Sequence, residues 1–224
     1  MGTAPEPVRR LPTGVRPLDA ALNGGVPRGR ISELIGPLSS GKTSLVLTLL
    51  ATTIRCGEVV ACIDLAHALH PASLALAGTD LQRLLWVRPP TATAAMRCTE
   101  LLLQAGGFAA VVLDLGASLP HPRRSQVWPR LLRAAEQSHT ALIIVAPHRL
   151  AGSFAGLSLS LQRRSPLWRC GLWALFDGFE TAVVVMRNKL GAPGKSTVIR
   201  ARESCLSTEP PFTLARTTHE HDSR

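Results

Sequence analysis

From residue 31 onward the apolar positions fall into two rhythms. Short apolar runs at 59–64 and 109–114, each closed by an Asp, and at 84–87 and 141–146 read as buried strands, as does Ile31-Ser32-Glu33-Leu34-Ile35. Between them lie stretches with helical spacing: from the Leu45, Val46, Leu47 run to about Ile54, near 71–78, at about 93–105, and near 125–137. The third of these places Ala94, Ala95, Cys98, Leu101 and Leu102 along one side. Strands alternating with helices in this way predict an α/β fold, with a mostly parallel central sheet and helices on both faces. After Pro147 the period becomes two. Leu157, Leu159 and Leu161 alternate with Ser158, Ser160 and Gln162, and 181–187 and 195–200 are strand-like, so an antiparallel extension is expected at the C-terminal side.

The ends differ from this middle. Residues 1–12 are rich in Pro and Arg and read as a flexible lead-in, 13–202 as a single core domain, and 203–224 as a disordered tail. A short amphipathic helix on Leu18, Ala21 and Leu22 is stopped by Asn23-Gly24-Gly25. The apolar segment 167–176, which carries Trp168 and Trp173, reads as core in preference to an exposed docking patch.

Composition narrows the class. Hydrophobic content of 46% against 18% charged residues is that of a globular chain. No apolar run is as long as a membrane span, and Met1 is followed by Gly, Pro and charges instead of a signal peptide. A cytosolic protein is therefore expected. The five cysteines show no C-x-x-C spacing and read as reduced, mostly buried thiols rather than a metal site. A net charge of +10 and a pI near 10.8 fit nucleic-acid binding, and equally an arginine-rich composition spread over the surface. The only lysines are Lys42, Lys189 and Lys195, which hints that a point charge is wanted at each.

The most specific chemistry lies at 36–44, Gly-Pro-Leu-Ser-Ser-Gly-Lys-Thr-Ser, between a predicted strand and a predicted helix. This is the phosphate-loop pattern. Gly36 and Gly41 let the backbone curl so that the N–H groups of Ser39, Ser40 and Ser44 surround an anion. Lys42 adds charge for the β and γ phosphates, and Thr43 can ligate Mg²⁺. Asp114, ending an apolar strand, suits the carboxylate that holds the Mg²⁺ water network. Hydrolysis also needs a polar group that orients water. It is sought on the strand beside the phosphate loop, taken to be the one ending Ile63-Asp64-Leu65-Ala66-His67; Asp64 can serve there and Ala66 cannot.

With Thr13-Gly14, Leu18-Asp19, 24–31, 36–43, Ile63-Asp64, His67-Ala68-Leu69, Pro71, Asp114, Arg187-Asn188-Lys189 and Ala192-Pro193, the chain resembles the ATPase core of the RecA recombinase family over about residues 8 to 200. That resemblance implies a nucleotide machine with parts removed. The family's catalytic glutamate falls at Ala66, its adenine-stacking aromatic at Ser73, its adenine-reading aspartate at His70, and its γ-phosphate-sensing glutamine at Pro147. The two DNA-binding loops are curtailed to 119–124 and about 148–156, and the family's polymerisation element and C-terminal domain are not seen. Arg187 and Lys189 match the late basic strand that reaches a neighbouring subunit's ATP.

Within the family the text is similar to the ImuA type, sometimes labelled SulA-like. This implies a non-catalytic accessory protein in SOS, damage-induced mutagenic translesion synthesis. The implied partners are an ImuB-type polymerase subunit, the RecA recombinase and an error-prone polymerase complex, in a bacterial cytoplasm and at the nucleoid when DNA is damaged. ATP with Mg²⁺ is then a weak or vestigial ligand, direct DNA binding is weak, and no membrane is involved. Arg187, Lys189, Trp168 and Trp173 are the interface candidates. The competing expectations are a minimal DNA-dependent ATPase, favoured by intact Lys42, Thr43 and Asp114, and a simple DNA-binding module. A 4% aromatic content with no Tyr opposes the latter.

Overall fold

A computed structural model describes residues 8–76, 78–116, 127–170, 174–202 and 212–214. The chain opens with β1 (Arg10–Leu11), α1 (Arg16–Ala21) and β2 (Val26–Pro27); β1 and β2 pair antiparallel. Thr13 donates from both N and Oγ1 to Asp19 Oδ1, at 2.8 and 2.7 Å, which closes the turn into α1. Leu11 is buried in the core. The ordered fold therefore begins inside the stretch expected as a lead-in, because that stretch supplies an apolar side chain and a strand partner.

Next come β3 (Ile31–Ile35), α2 (Lys42–Arg55), β4 (Val60–Asp64), α3 (Pro71–Leu76), β5 (Leu84–Val87), α4 (Ala92–Ala105), β6 (Ala110–Asp114), α5 (Val127–Ser138) and β7 (Ala141–Ala146). Then β8 (Ala155–Cys170), β9 (Ala174–Asn188), β10 (Ser196–Arg202) and β11 (Phe212–Leu214) complete one nine-stranded sheet, in the order β11-β10-β9-β8-β3-β7-β6-β4-β5. From β8 across to β5 all pairings are parallel, and from β8 to β11 all are antiparallel. The α/β architecture with an antiparallel C-terminal extension is as the periodicity predicts. Within the stretch expected as a tail, 212–214 form β11 and pair with β10 at the sheet edge.

Each face of the sheet carries its own core. Leu34, Val60, Val112 and Ile143 pack with Leu45, Leu49 and Leu50 of α2 on one side. Ile31, Ile63, Val111 and Leu142 pack with Leu103 of α4 and Trp128 and Leu131 of α5 on the other. Successive strand residues thus serve opposite faces, which is why the central strands read as unbroken apolar runs. Among the described residues no helix is long and apolar enough to cross a membrane.

The segment 167–176 overturns the core expectation where it is described. β8 pairs with β3 only up to Ser160, opposite Ile35, where β3 turns into the loop. Beyond that point β9 is the only partner of β8, and β9 itself keeps β10 only as far as Gly178, so past it the two strands run on as a two-stranded ribbon. With no further strand on either edge there, Trp168, Leu175 and Phe176 remain 56%, 60% and 46% exposed. Trp168 and Phe176 face each other edge to face at 5.8 Å. Trp173 lies outside the described residues. The cysteines also divide: Cys62 is buried, Cys98 half-buried and Cys56 exposed, all as free thiols. Cys56 caps the end of α2, where the chain turns out to solvent.

Candidate functional site

The site grows from the point where β3 ends. Gly36 has φ 153° and Gly41 has φ 92°. A Cβ on Gly36 would lie 2.2 Å from Leu161 O, and one on Gly41 2.9 Å from Thr181 Oγ1. Both positions need glycine for their backbone and for the close approach of the β8–β9 ribbon. The loop then feeds α2, whose first turn begins at Lys42, so its free N–H groups point into the hollow.

This hollow has a volume of ≈ 390 Å³ and collects Gly36, Ser39, Ser40, Gly41, Lys42, Thr43, Ser44 and Asp114 on its walls. The residues proposed from the motif are therefore brought together, although Thr43 and Asp114 stand 71 residues apart in the chain. Lys42 Nζ donates to Gly36 O, to Pro37 O at 2.6 Å and to Ser40 Oγ at 3.4 Å. Burial lowers its pKa, and the charge of Asp114 opposes that shift. Burial likewise raises the pKa of Asp114; the Gly116 N–H at 3.0 Å counters it, Asp64 adds to it and Lys42 counters it. A glycine cradle, one ammonium, one hydroxyl at a helix start and one carboxylate suit a phosphate with its metal ion.

The segment after β4 supplies two further walls, Ala66 and Ala68. Contrary to the expectation from the sequence, β4 is not the strand beside the loop: β3 is flanked by β7 and β8, with β7 and β6 intervening before β4. Asp64 is not available to orient water. It is fully buried, and its carboxylate accepts from Ala68 N (2.9 Å), Leu69 N (3.1 Å) and Trp86 Nε1 (3.3 Å). Its bonds curl the chain so that Ala66 faces the hollow. His70 and Ser73 bond each other (Nδ1 to Oγ, 3.1 Å) on the exposed surface and are not on the hollow's walls. Pro147 is on a wall, where it offers no side-chain donor.

Three residues escaped the sequence reading. Phe179 of β9 lines the hollow, with the Arg163 guanidinium 5.4 Å above its ring. Thr181, buried one strand step further, donates to Ser40 O at 3.1 Å and ties the ribbon to the loop. Glu33, 1% exposed in the middle of β3, accepts from Leu150 N (2.8 Å), Ala151 N (2.7 Å) and Ser158 Oγ (2.8 Å). A carboxylate within an apolar run was the one available signal for Glu33; Phe179 and Thr181 carry none.

Arg187 and Lys189 do not approach the hollow of their own chain. At the far end of β9 they donate to Gly152 O and Ser153 O, each at 2.6 Å. The short loop after β7 is thus held at four consecutive residues, Leu150 and Ala151 by Glu33 and Gly152 and Ser153 by this basic pair. The other curtailed loop, at 119–124, lies outside the described residues.

The profile of the RecA N-terminal domain matches residues 2–126. Protein RecA of Leifsonia xyli subsp. xyli is 33% identical over 225 residues, covering 84% of this chain and 62% of that protein. Protein RecA of Thermus aquaticus is 44% identical over 110 residues, covering 49% of this chain and 32% of that one. The chain spans about three fifths of the length of its longer-matching relatives. Among solved structures, the crystal structure of the RadB recombinase overlays with a TM-score of 0.71 at 22% identity, over 92% of this chain and 99% of that one, a likeness of fold.

Proposed function

The chain belongs to the RecA N-terminal domain family, and on that footing we propose that it is a non-catalytic RecA-like accessory protein. In this reading it holds a nucleotide or another phosphate anion weakly at the loop and works through contacts with other proteins. The observation that carries the reading is the wall at Ala66. A methyl group stands where a water-orienting carboxylate is required, and the nearby Asp64 is buried and fully bonded. Asp114 is the only carboxylate on the hollow's walls among the described residues, and the metal role occupies it. Losing the group that positions water removes much of the catalysis of phosphoryl transfer, which rests on positioning and electrostatics.

The ImuA type is the family branch we propose, with a role in damage-induced mutagenic translesion synthesis. Its partners would be an ImuB-type polymerase subunit, the RecA recombinase and the error-prone polymerase they serve. The exposed Trp168 on the ribbon and the Arg187–Lys189 pair supply surfaces of the kind such contacts use. The second loop, pinned by Glu33, favours protein contacts over a mobile DNA-binding loop.

A second reading, a minimal DNA-dependent ATPase, is favoured by Lys42, Thr43 and Asp114 sharing one hollow. Turnover of ATP by the purified chain, with and without single-stranded DNA, separates the two. We expect background rates in both; DNA-stimulated hydrolysis abolished by Lys42→Ala would establish the ATPase reading instead. Pull-downs against an ImuB-type subunit and RecA test the partner assignment, which fails if neither is retained.

A further inference from the structure

We infer that a purine nucleotide held by the phosphate loop stacks its base on Phe179, so that the β8–β9 ribbon carries the base platform, and that the site is tolerant of which purine it takes. This rests on the reading above that the loop holds a nucleotide.

The hollow divides by chemistry. Its polar side chains, from Ser39 to Ser44 and Asp114, all cluster around the loop and the start of α2. The other side chains on the wall are apolar, and Phe179 is the only aromatic ring on it among the described residues. A planar base attached to phosphates at the loop has one aromatic face to meet there. The segment after β4 offers none, since His70 and Ser73 are turned to solvent and bonded to each other.

Phe179 is also placed firmly. Its Cε2 lies 3.5 Å from where a Cβ on Gly41 would stand, which is van der Waals distance from the loop itself. Two residues along the same strand face, Thr181 binds Ser40 O, so ring and loop are held at a fixed spacing. Arg163 backs the ring by a cation–π contact at 5.4 Å. Such a wall grips π-faces but has no polar side chain to read the base edge. Adenine and guanine should therefore be held about equally.

Binding of pyrophosphate, ADP and GDP, each with Mg²⁺, to the full chain by titration calorimetry tests this. ADP and GDP should agree within about threefold and exceed pyrophosphate by roughly 5- to 100-fold, the range of a single stacked base. Phe179→Leu keeps apolar bulk without a ring; it should pull ADP down toward pyrophosphate and leave pyrophosphate unchanged. Phe179→Trp should keep the ADP advantage. The inference is overturned if Phe179→Leu leaves the ADP to pyrophosphate ratio intact, if it weakens both ligands equally, or if ADP outbinds GDP tenfold. If pyrophosphate and ADP both fail to bind, or ADP binding survives Lys42→Ala, the loop reading falls and takes this inference with it.

Discussion

Glu33 permits the sharpest test of how the site's scaffold is held. Its Oε1 accepts both Leu150 N and Ala151 N, and its Oε2 accepts Ser158 Oγ. Glu33→Ala strands two backbone donors and a hydroxyl within a buried pocket. Bonds to a charged acceptor contribute about 1.5–3 kcal/mol each, and unmet buried donors cost about 1–3 kcal/mol. Allowing for water entry beside half-exposed Arg149, a loss of about 3–5 kcal/mol is expected. Glu33→Gln behaves differently. The amide oxygen can still accept both N–H groups, and its NH₂ can donate to Ser158 Oγ once that hydroxyl rotates. All three bonds survive without charge assistance, at a cost of about 1 kcal/mol. Urea denaturation gives the two costs, and hydrogen exchange at the Leu150 and Ala151 amides shows whether the opening is local. Equal losses for the two variants, or a Glu33→Ala loss under 1 kcal/mol, would refute the reasoning.

Other perturbations probe the loop more directly. Gly41→Ala meets both a φ of 92° and an oxygen at 2.9 Å, so a loss of about 1–3 kcal/mol in thermal denaturation and loss of pyrophosphate binding are expected. Thr181→Val removes the bond to Ser40 O and should cost about 1 kcal/mol while loosening the loop, seen as faster proteolysis near residue 40. Burial raises the Asp114 pKa, so its ionisation opposes folding: that stabilising contribution is complete below the ordinary aspartate range and is lost as pH rises through the raised value. Asp114→Asn should therefore raise Tm at neutral pH by a margin that shrinks on acidification; calorimetry showing a margin that grows instead would contradict this.

The strand at 141–146 was legible because burial on both faces makes it an apolar run. The edge strand at 84–87 was legible from four apolar residues although it is only partly buried, and 31–35 despite Ser32 and Glu33; all three coincide with their observed limits. The ribbon was misread for a related reason. Apolar content at Leu167, Trp168, Leu175 and Phe176 says nothing about whether a neighbouring strand reaches that far, and β3 stops at Ile35. Asp64 had the right residue type and position for chemistry. Its role was decided by the N–H groups of Ala68 and Leu69, which only the folded turn brings to it. Contacts across long sequence separations, such as Thr181 to Ser40, leave no local trace at all.

The strand order has a consequence for how this chain comes to possess its loop. β3 is among the first strands to be made, yet both of its sheet neighbours, β7 and β8, lie more than a hundred residues later. Neither neighbour falls within residues 2–126, the stretch matched by the family profile. Closing such a distance is slow and entropically costly, so the loop cannot be anchored until most of the chain has emerged. A fragment ending near residue 126 would contain the whole phosphate motif and still present it unsupported, without Leu161 or Thr181 to shape it. Phosphate recognition here is a property of the chain's second half as much as of the nine residues that spell it.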